Sequence, residues 1–230
     1  MKKNEKNNIH LKGLVYTCSA ETGKSGGRER RGAALVIATA AKTGDTLQWQ
    51  YHRVNVSVTR KLGALMNRIA EDIEDNRANY GREGYVPKTY VAEAEGSIRM
   101  NGGETFIDAS SVSFALAPLS EDNVAFVNEA SVTGTVEDVL VNNNYASVIL
   151  RSDGARLPLI LSRNDDRKGY EEAAEGTIRK GDEVSLKGPL CSRTYSNGRD
   201  TTACCMLYNS TYTVRHRMEK QQSQTAGVTM

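Results

Sequence analysis

The sequence predicts an all-β protein with one helix per barrel, arranged as two tandem five-stranded barrels. Three observations predict it. Alternating, β-branched stretches recur along the chain. They fall in the order strand, strand, strand, helix, strand, strand, and the order occurs twice. A glycine stands in the first strand of each repeat and another in the fourth, where a bulge or tight bend turns a barrel corner.

The first repeat opens with HLKGLVYT (10–17) and the second with SVTGTVED (131–138), with Gly13 and Gly134 in matching register. Second strands follow at AALVIATA (33–40) and YASVILRS (145–152), and third strands at YHRVNVSV (51–58) and RLPLILSR (156–163). Leu62, Leu65, Met66, Ile69 and Ile73 recur at helical spacing, so residues 60–78 form an amphipathic helix. Its shorter counterpart spans 166–175, with Tyr170 and Ala174 on one face. Two strands close each repeat, 90–100 with 105–114 and 182–195 with 201–214. Gly96 and Gly188 hold equivalent places in the fourth strands. This order is that of the oligonucleotide/oligosaccharide-binding (OB) barrel. The expected domains are 1–118 and 119–217, joined by a linker over about 118–128, with a disordered tail at 218–230.

Composition narrows the function classes. The net charge is +2, but residues 1–118 carry 17 Lys and Arg against 13 Asp and Glu, a modestly basic half that permits a polyanion partner. No apolar run reaches the roughly 20 residues of a membrane helix, and no apolar core follows MKKNEKNN at the N-terminus. A cytoplasmic protein with no membrane partner is expected. Cys18, Cys191, Cys204 and Cys205 lack metal-ligand spacing and read as reduced thiols, so no metal is expected. His10, His52 and His216 are scattered, with no paired carboxylates and no nucleophile signature. The run EDIED (71–75) reads as a solvated helix face. TGKS (22–25) lacks the preceding P-loop glycine, since Cys18 occupies that position. Neither catalytic residues, nor a cofactor, nor a small-molecule substrate is expected.

Nucleic-acid chemistry remains. Residues 180–209 read as a hairpin, with Ser196-Asn197-Gly198 as its turn. Arg193 and Tyr195 are two apart on one strand, a cation beside a ring on one face, which suits a phosphate next to a stacked base. LQWQYHRVNVSV (47–58) puts Trp49, Tyr51 and Arg53 on one strand face and His52 with Val54 on the other; His52 reads as structural. The stretch AETGKSGGRERRG (20–32) reads as a flexible basic loop whose Lys24, Arg28, Arg30 and Arg31 follow phosphates. Arg99 is a comparable candidate in the fourth strand, and Arg151, Arg156 and Arg199 are weaker ones.

Two segments carry a family resemblance. The run K-G-D-E-V…G-P-L-C-S-R-T-Y with its D-T-T return strand, and Tyr51-His52-Arg53-Val54, resemble the last two strands and the third strand of bacterial and phage-type single-stranded-DNA-binding proteins. The likeness implies Tyr51, where that family has Trp, and Arg193 with Tyr195 as contacts. It further implies a non-enzymatic coat for single-stranded DNA in replication, recombination or repair, acting with partner proteins of those processes. Two barrels per chain imply a homodimer. Departures are the ending AGVTM instead of an acidic, Phe-terminated tip, Leu157-Pro158-Leu159 in the second third strand, and a short final hairpin in the first repeat. RNA binding and a protein-docking role in a replication or conjugation assembly are the alternatives.

Overall fold

The computed structural model describes residues 6–25, 28–43, 46–101, 104–117, 124–196, 201–208 and 211–217, through the backbone at 6, 21–31, 41–47, 192–206 and 208. Its first half contains β1 (Lys6–Ser25), β2 (Arg28–Thr43), β3 (Thr46–Ser57), α1 (Arg60–Asn79), β4 (Tyr90–Asn101) and β5 (Glu104–Leu116). β1 pairs with β2 and β2 with β3, both antiparallel; β3 meets β5 in parallel; β5 pairs with β4, and β4 returns to β1. That circuit is a closed five-stranded barrel in the OB order. Closure needs backbones to approach at the corners. A Cβ on Gly13 would run into the Ala38 carbonyl, and one on Gly96 into the Asp108 carbonyl. Bulges at Tyr16 and Ser110, where the registers shift, bend the long strands at these corners.

Helix α1 starts where the Thr59 hydroxyl accepts the Leu62 N–H at 3.3 Å. Met66 and Ile69 are buried, while Leu62 and Ile73 pack at the margin of the core. Leu65 is exposed, so the buried stripe is narrower than its apolar pattern.

The second half contains β6 (Val127–Val141), β7 (Tyr145–Ser152), β8 (Ala155–Ser162), α2 (Arg167–Ala174), β9 (Glu183–Gly188), β10 (Leu190–Ser196), β11 (Thr201–Tyr208) and β12 (Thr211–Arg215). Its pairings follow the same route: β6–β7–β8, then β8 with β11 in parallel, β11–β10, β9–β12 and β9 back to β6. The predicted fourth strand is cut at Pro189, which has no N–H for a ladder. The registers also repeat. Leu14, Ala38 and Tyr51 lie abreast on β1, β2 and β3, as Thr135, Arg151 and Arg156 do on β6, β7 and β8. Ile9 faces Gly96 on β4, as Ala130 faces Gly188 on β9.

A matching pair of asparagines extends this repeat. Asn7 accepts the Ile98 N–H at 3.0 Å and donates to the Ile98 carbonyl at 2.9 Å. Asn128 accepts the Leu190 N–H and donates to the Leu190 carbonyl, both at 2.9 Å. Each asparagine stands two residues before the strand-one residue that faces the fourth-strand glycine. Each side-chain amide supplies the ladder bonds that the backbone cannot make past that glycine.

The halves are joined by β1 and β6, whose segments Lys6–Lys12 and Val127–Thr133 pair antiparallel. The described strands therefore form one continuous sheet, and most buried apolar side chains of both halves form one cluster.

Several expectations are corrected. Residues 20–25 and 28–32 are not a loop but the far arms of the β1–β2 hairpin, paired from Ala20↔Ala33 to Ser25↔Arg28. In the antiparallel ladder every second facing pair exchanges both of its N–H···O bonds, and this holds the glycine-rich arms extended. Of the expected 118–128 linker, residues 118–123 lie outside the described residues; Val124 is buried with Leu14 and Val91, and β6 begins at Val127. On α2 the buried residues are Gly169 and Ala173, while Ala174 is exposed. The acidic face of α1 is engaged: Asp72 accepts from Lys88 Nζ at 2.9 Å and from the Tyr90 hydroxyl, and Asp75 accepts from the Tyr85 hydroxyl at 2.8 Å. These bonds strap the 80–90 segment to the helix.

Candidate nucleic-acid interface

β3 supplies the face that the sequence singles out. Its alternation sends His52, Val54 and Val56 into the barrel and leaves Tyr51 and Arg53 exposed. Arg53 Nη1 donates to Glu104 Oε2, at the start of β5, at 3.1 Å. Trp49 lies on the same strand but is only partly exposed. It meets Phe126 edge-on, with ring centroids 5.6 Å apart, beside the small cluster of Leu14, Val91 and Val124. The segment before β6 thus covers part of the indole.

Tyr51 has a neighbour that the sequence reading did not pick out. Tyr16, on β1, lies edge-on to it with centroids 4.9 Å apart, and the rings are 54% and 45% exposed. The signal was the outward parity that Tyr16 shares with His10 and Lys12. Its meeting with a residue two strands away is a tertiary fact.

The other candidates divide. Arg99 Nη1 pairs with Asp153 Oδ2 at 2.8 Å and donates to the Asp153 carbonyl at 3.2 Å, so it bridges the halves. Lys24, Arg28, Arg30 and Arg31 lie on the paired arms of the β1–β2 hairpin, where Lys24 faces Glu29 and Gly23 faces Arg30. Arg193 and Tyr195 lie on β10 opposite Cys204 and Thr202. The side chains of these six residues lie outside the described part of the structure, as does Arg199 with residues 197–200. Arg151 and Arg156 converge on Glu137, at 3.6 and 2.6 Å.

Beneath this surface His52 is fully buried, and its Nε2 lies 3.0 Å from Thr39 Oγ1 and 3.4 Å from Asn128 Nδ2. Because Asn128 Oδ1 accepts from Leu190, its amide nitrogen is the atom facing the ring, and the ring nitrogen accepts. Burial lowers the imidazole pKa to about 4. His52 is therefore neutral and structural, at the seam between the halves. Burial pushes the Cys18 thiol up to about 11, which suits an inert core thiol. At the far end, burial works to raise the Asp182 carboxyl. The N–H groups of Arg179 and Arg217 and the His216 ring outweigh it and hold the carboxyl below its ordinary value.

Among the described residues no cluster of three His, Cys, Asp or Glu is placed to hold a metal ion, and no helix is long and apolar enough to cross a membrane. What the geometry presents is a strand surface with exposed rings, an exposed guanidinium and a basic hairpin.

The architecture is that of the OB fold, and solved structures share it over almost the whole chain. The wild-type single-stranded DNA binding protein from Thermus aquaticus is similar with a TM-score of 0.55 and 16% identity, over 96% of this chain and 98% of that one. A deletion mutant of the same protein is similar with a TM-score of 0.53, again at 16% identity and with the same coverage of both chains. No protein-family model matches the sequence. Nor does any curated protein.

Proposed function

We propose that this chain is a non-enzymatic protein that binds single-stranded DNA with little regard to sequence and coats it during replication, recombination or repair. The observation that carries this reading is the outward face of β3, where exposed Tyr51 stands next to exposed Arg53. Rings stack any base, because every base has a π-face, at about 1–3 kcal/mol each. Cations at the same level take the phosphates. The Arg53–Glu104 pair does not close the site. An exposed pair contributes about 1 kcal/mol or less, and a phosphate can replace its carboxylate.

The likeness to a protein named for single-stranded DNA binding, over nearly all of both chains, supports the reading at the level of the fold. The repeated registers support a reading as two tandem OB barrels, 1–118 and 119–217; residues 218–230, read from the sequence as a tail, lie outside the described residues. A pair of such chains would present four barrels, which favours a homodimer. Lys24, Arg28, Arg30, Arg31, Arg193, Tyr195 and Arg199 would extend the contact surface along the two hairpins.

The test is a titration of end-labelled oligo-dT with the full chain, read by anisotropy at two salt concentrations, with matched oligo-rU as competitor. Tight binding that weakens steeply with salt is expected, with a log–log slope of about −0.7 per phosphate contact on a single strand. No binding at low salt would overturn the proposal. Preference for the RNA would redirect it toward the 2′-hydroxyl.

A further inference from the structure

Superposing the pairing registers of the two halves sets three positions of the exposed β1–β2–β3 face against three of β6–β7–β8. Tyr16 occupies the bulge between Val15 and Thr17, as Glu137 occupies the bulge between Val136 and Asp138. Ala38 corresponds to Arg151, and Tyr51, which pairs with Ala38, corresponds to Arg156, which pairs with Arg151.

The chemistry at these positions is opposite. In the first half the β2 partner of Tyr51 is the small Ala38, which pairs with Leu14 two residues before Tyr16, and the two tyrosine rings meet across β2. In the second half the same three positions form an ion cluster, with Glu137 held by both arginines.

Resting on the reading as a single-stranded DNA binder, we propose that Tyr16 is a base-stacking residue. It forms one two-ring platform with Tyr51, and on this face stacking is confined to the first half. An edge-on pair of exposed phenols, each fixing the other's rotamer, offers a base a preordered apolar surface, so little ordering entropy is lost on binding. In the second half a carboxylate stands where the first ring would be, repels phosphate and occupies the two cations that could attract it. The bound strand therefore meets a stacking surface on one half and a self-neutralised one on the other. This gives the chain an asymmetric contact path.

The experiment is the same oligo-dT titration, with Tyr16→Ala, Tyr16→Phe and Arg156→Ala variants of the full chain, each checked for native circular dichroism. Tyr16→Ala is expected to weaken binding about 5- to 150-fold with an unchanged salt slope, because a ring and not a phosphate contact is lost. Tyr16→Phe retains affinity, and Arg156→Ala stays within about twofold of the parent. Full affinity in Tyr16→Ala, with the parent binding tightly, overturns the platform and leaves the DNA-binding reading intact. A loss in Arg156→Ala equal to that in Tyr16→Ala overturns the confinement to the first half. Failure of the parent itself to bind overturns both readings. Photocrosslinking of halogenated oligo-dU to the peptide that contains Tyr16 gives a readout free of any folding effect.

Discussion

His52 shows how much one side chain can report. Alternation sets it on the face of β3 opposite Tyr51 and Arg53, where it reads as structural; the structure buries that face, with the ring against Thr39 and Asn128. Its pKa falls from an ordinary 6.5 to about 4, so the unfolded chain takes up this proton first as pH falls. The stability from keeping the ring neutral is complete above about pH 6.5 and is lost progressively toward pH 4. The loss sums to about 3 kcal/mol. Urea denaturation of the parent and His52→Gln at pH 7 and pH 4.5 measures it. The parent should lose about 2 kcal/mol more than the variant between those values, since pH 4.5 still lies above the folded-state pKa, and parallel losses would refute the assignment. Tyr51 and Arg53 could likewise be placed outward from alternation. The cover that Phe126 provides to Trp49 could not, because it depends on where residues 124–126 return against β3 and β4.

At the level of elements, the glycines at the corners separate geometry from composition. A Cβ at Gly13 would collide deeply with the Ala38 carbonyl, backbone that cannot swing away, whereas one at Gly134 would clash less deeply, 2.8 Å from the Arg151 carbonyl oxygen. Gly13→Ala is expected to cost about 1–3 kcal/mol and Gly134→Ala less, as measured by shifts in the urea midpoint. Equal costs would show that the two corners relax alike. The strands, both helices and the repeat of their order were legible because alternation and helical periodicity are local signals. The β1–β2 arms beyond Ser19 carry a loop signal in the sequence, because glycine and clustered charge have low strand propensity. A paired neighbour overrode that preference. Asn7 and Asn128 were silent for a related reason: an asparagine mid-strand announces nothing until the backbone it bridges is known.

Over the whole molecule, the decisive feature is the β1–β6 seam. A continuous sheet crosses it, Asn128 links Leu190 on one side to the His52 region on the other, and Arg99 grips Asp153. Thermal unfolding followed by circular dichroism and by Trp49 fluorescence should therefore coincide in one transition. Two separated midpoints would mean that the halves unfold independently and that the seam couples them weakly. Strand order and helix placement came from the chain itself, since backbone propensity and apolar period act over a few residues. So did the outward pairing of an aromatic with an arginine on β3. Which rings meet, which cations are already neutralised, and how one half leans on the other were decided only by tertiary structure. These depend on registers between strands far apart in sequence, and closing a barrel sets all of those registers at once.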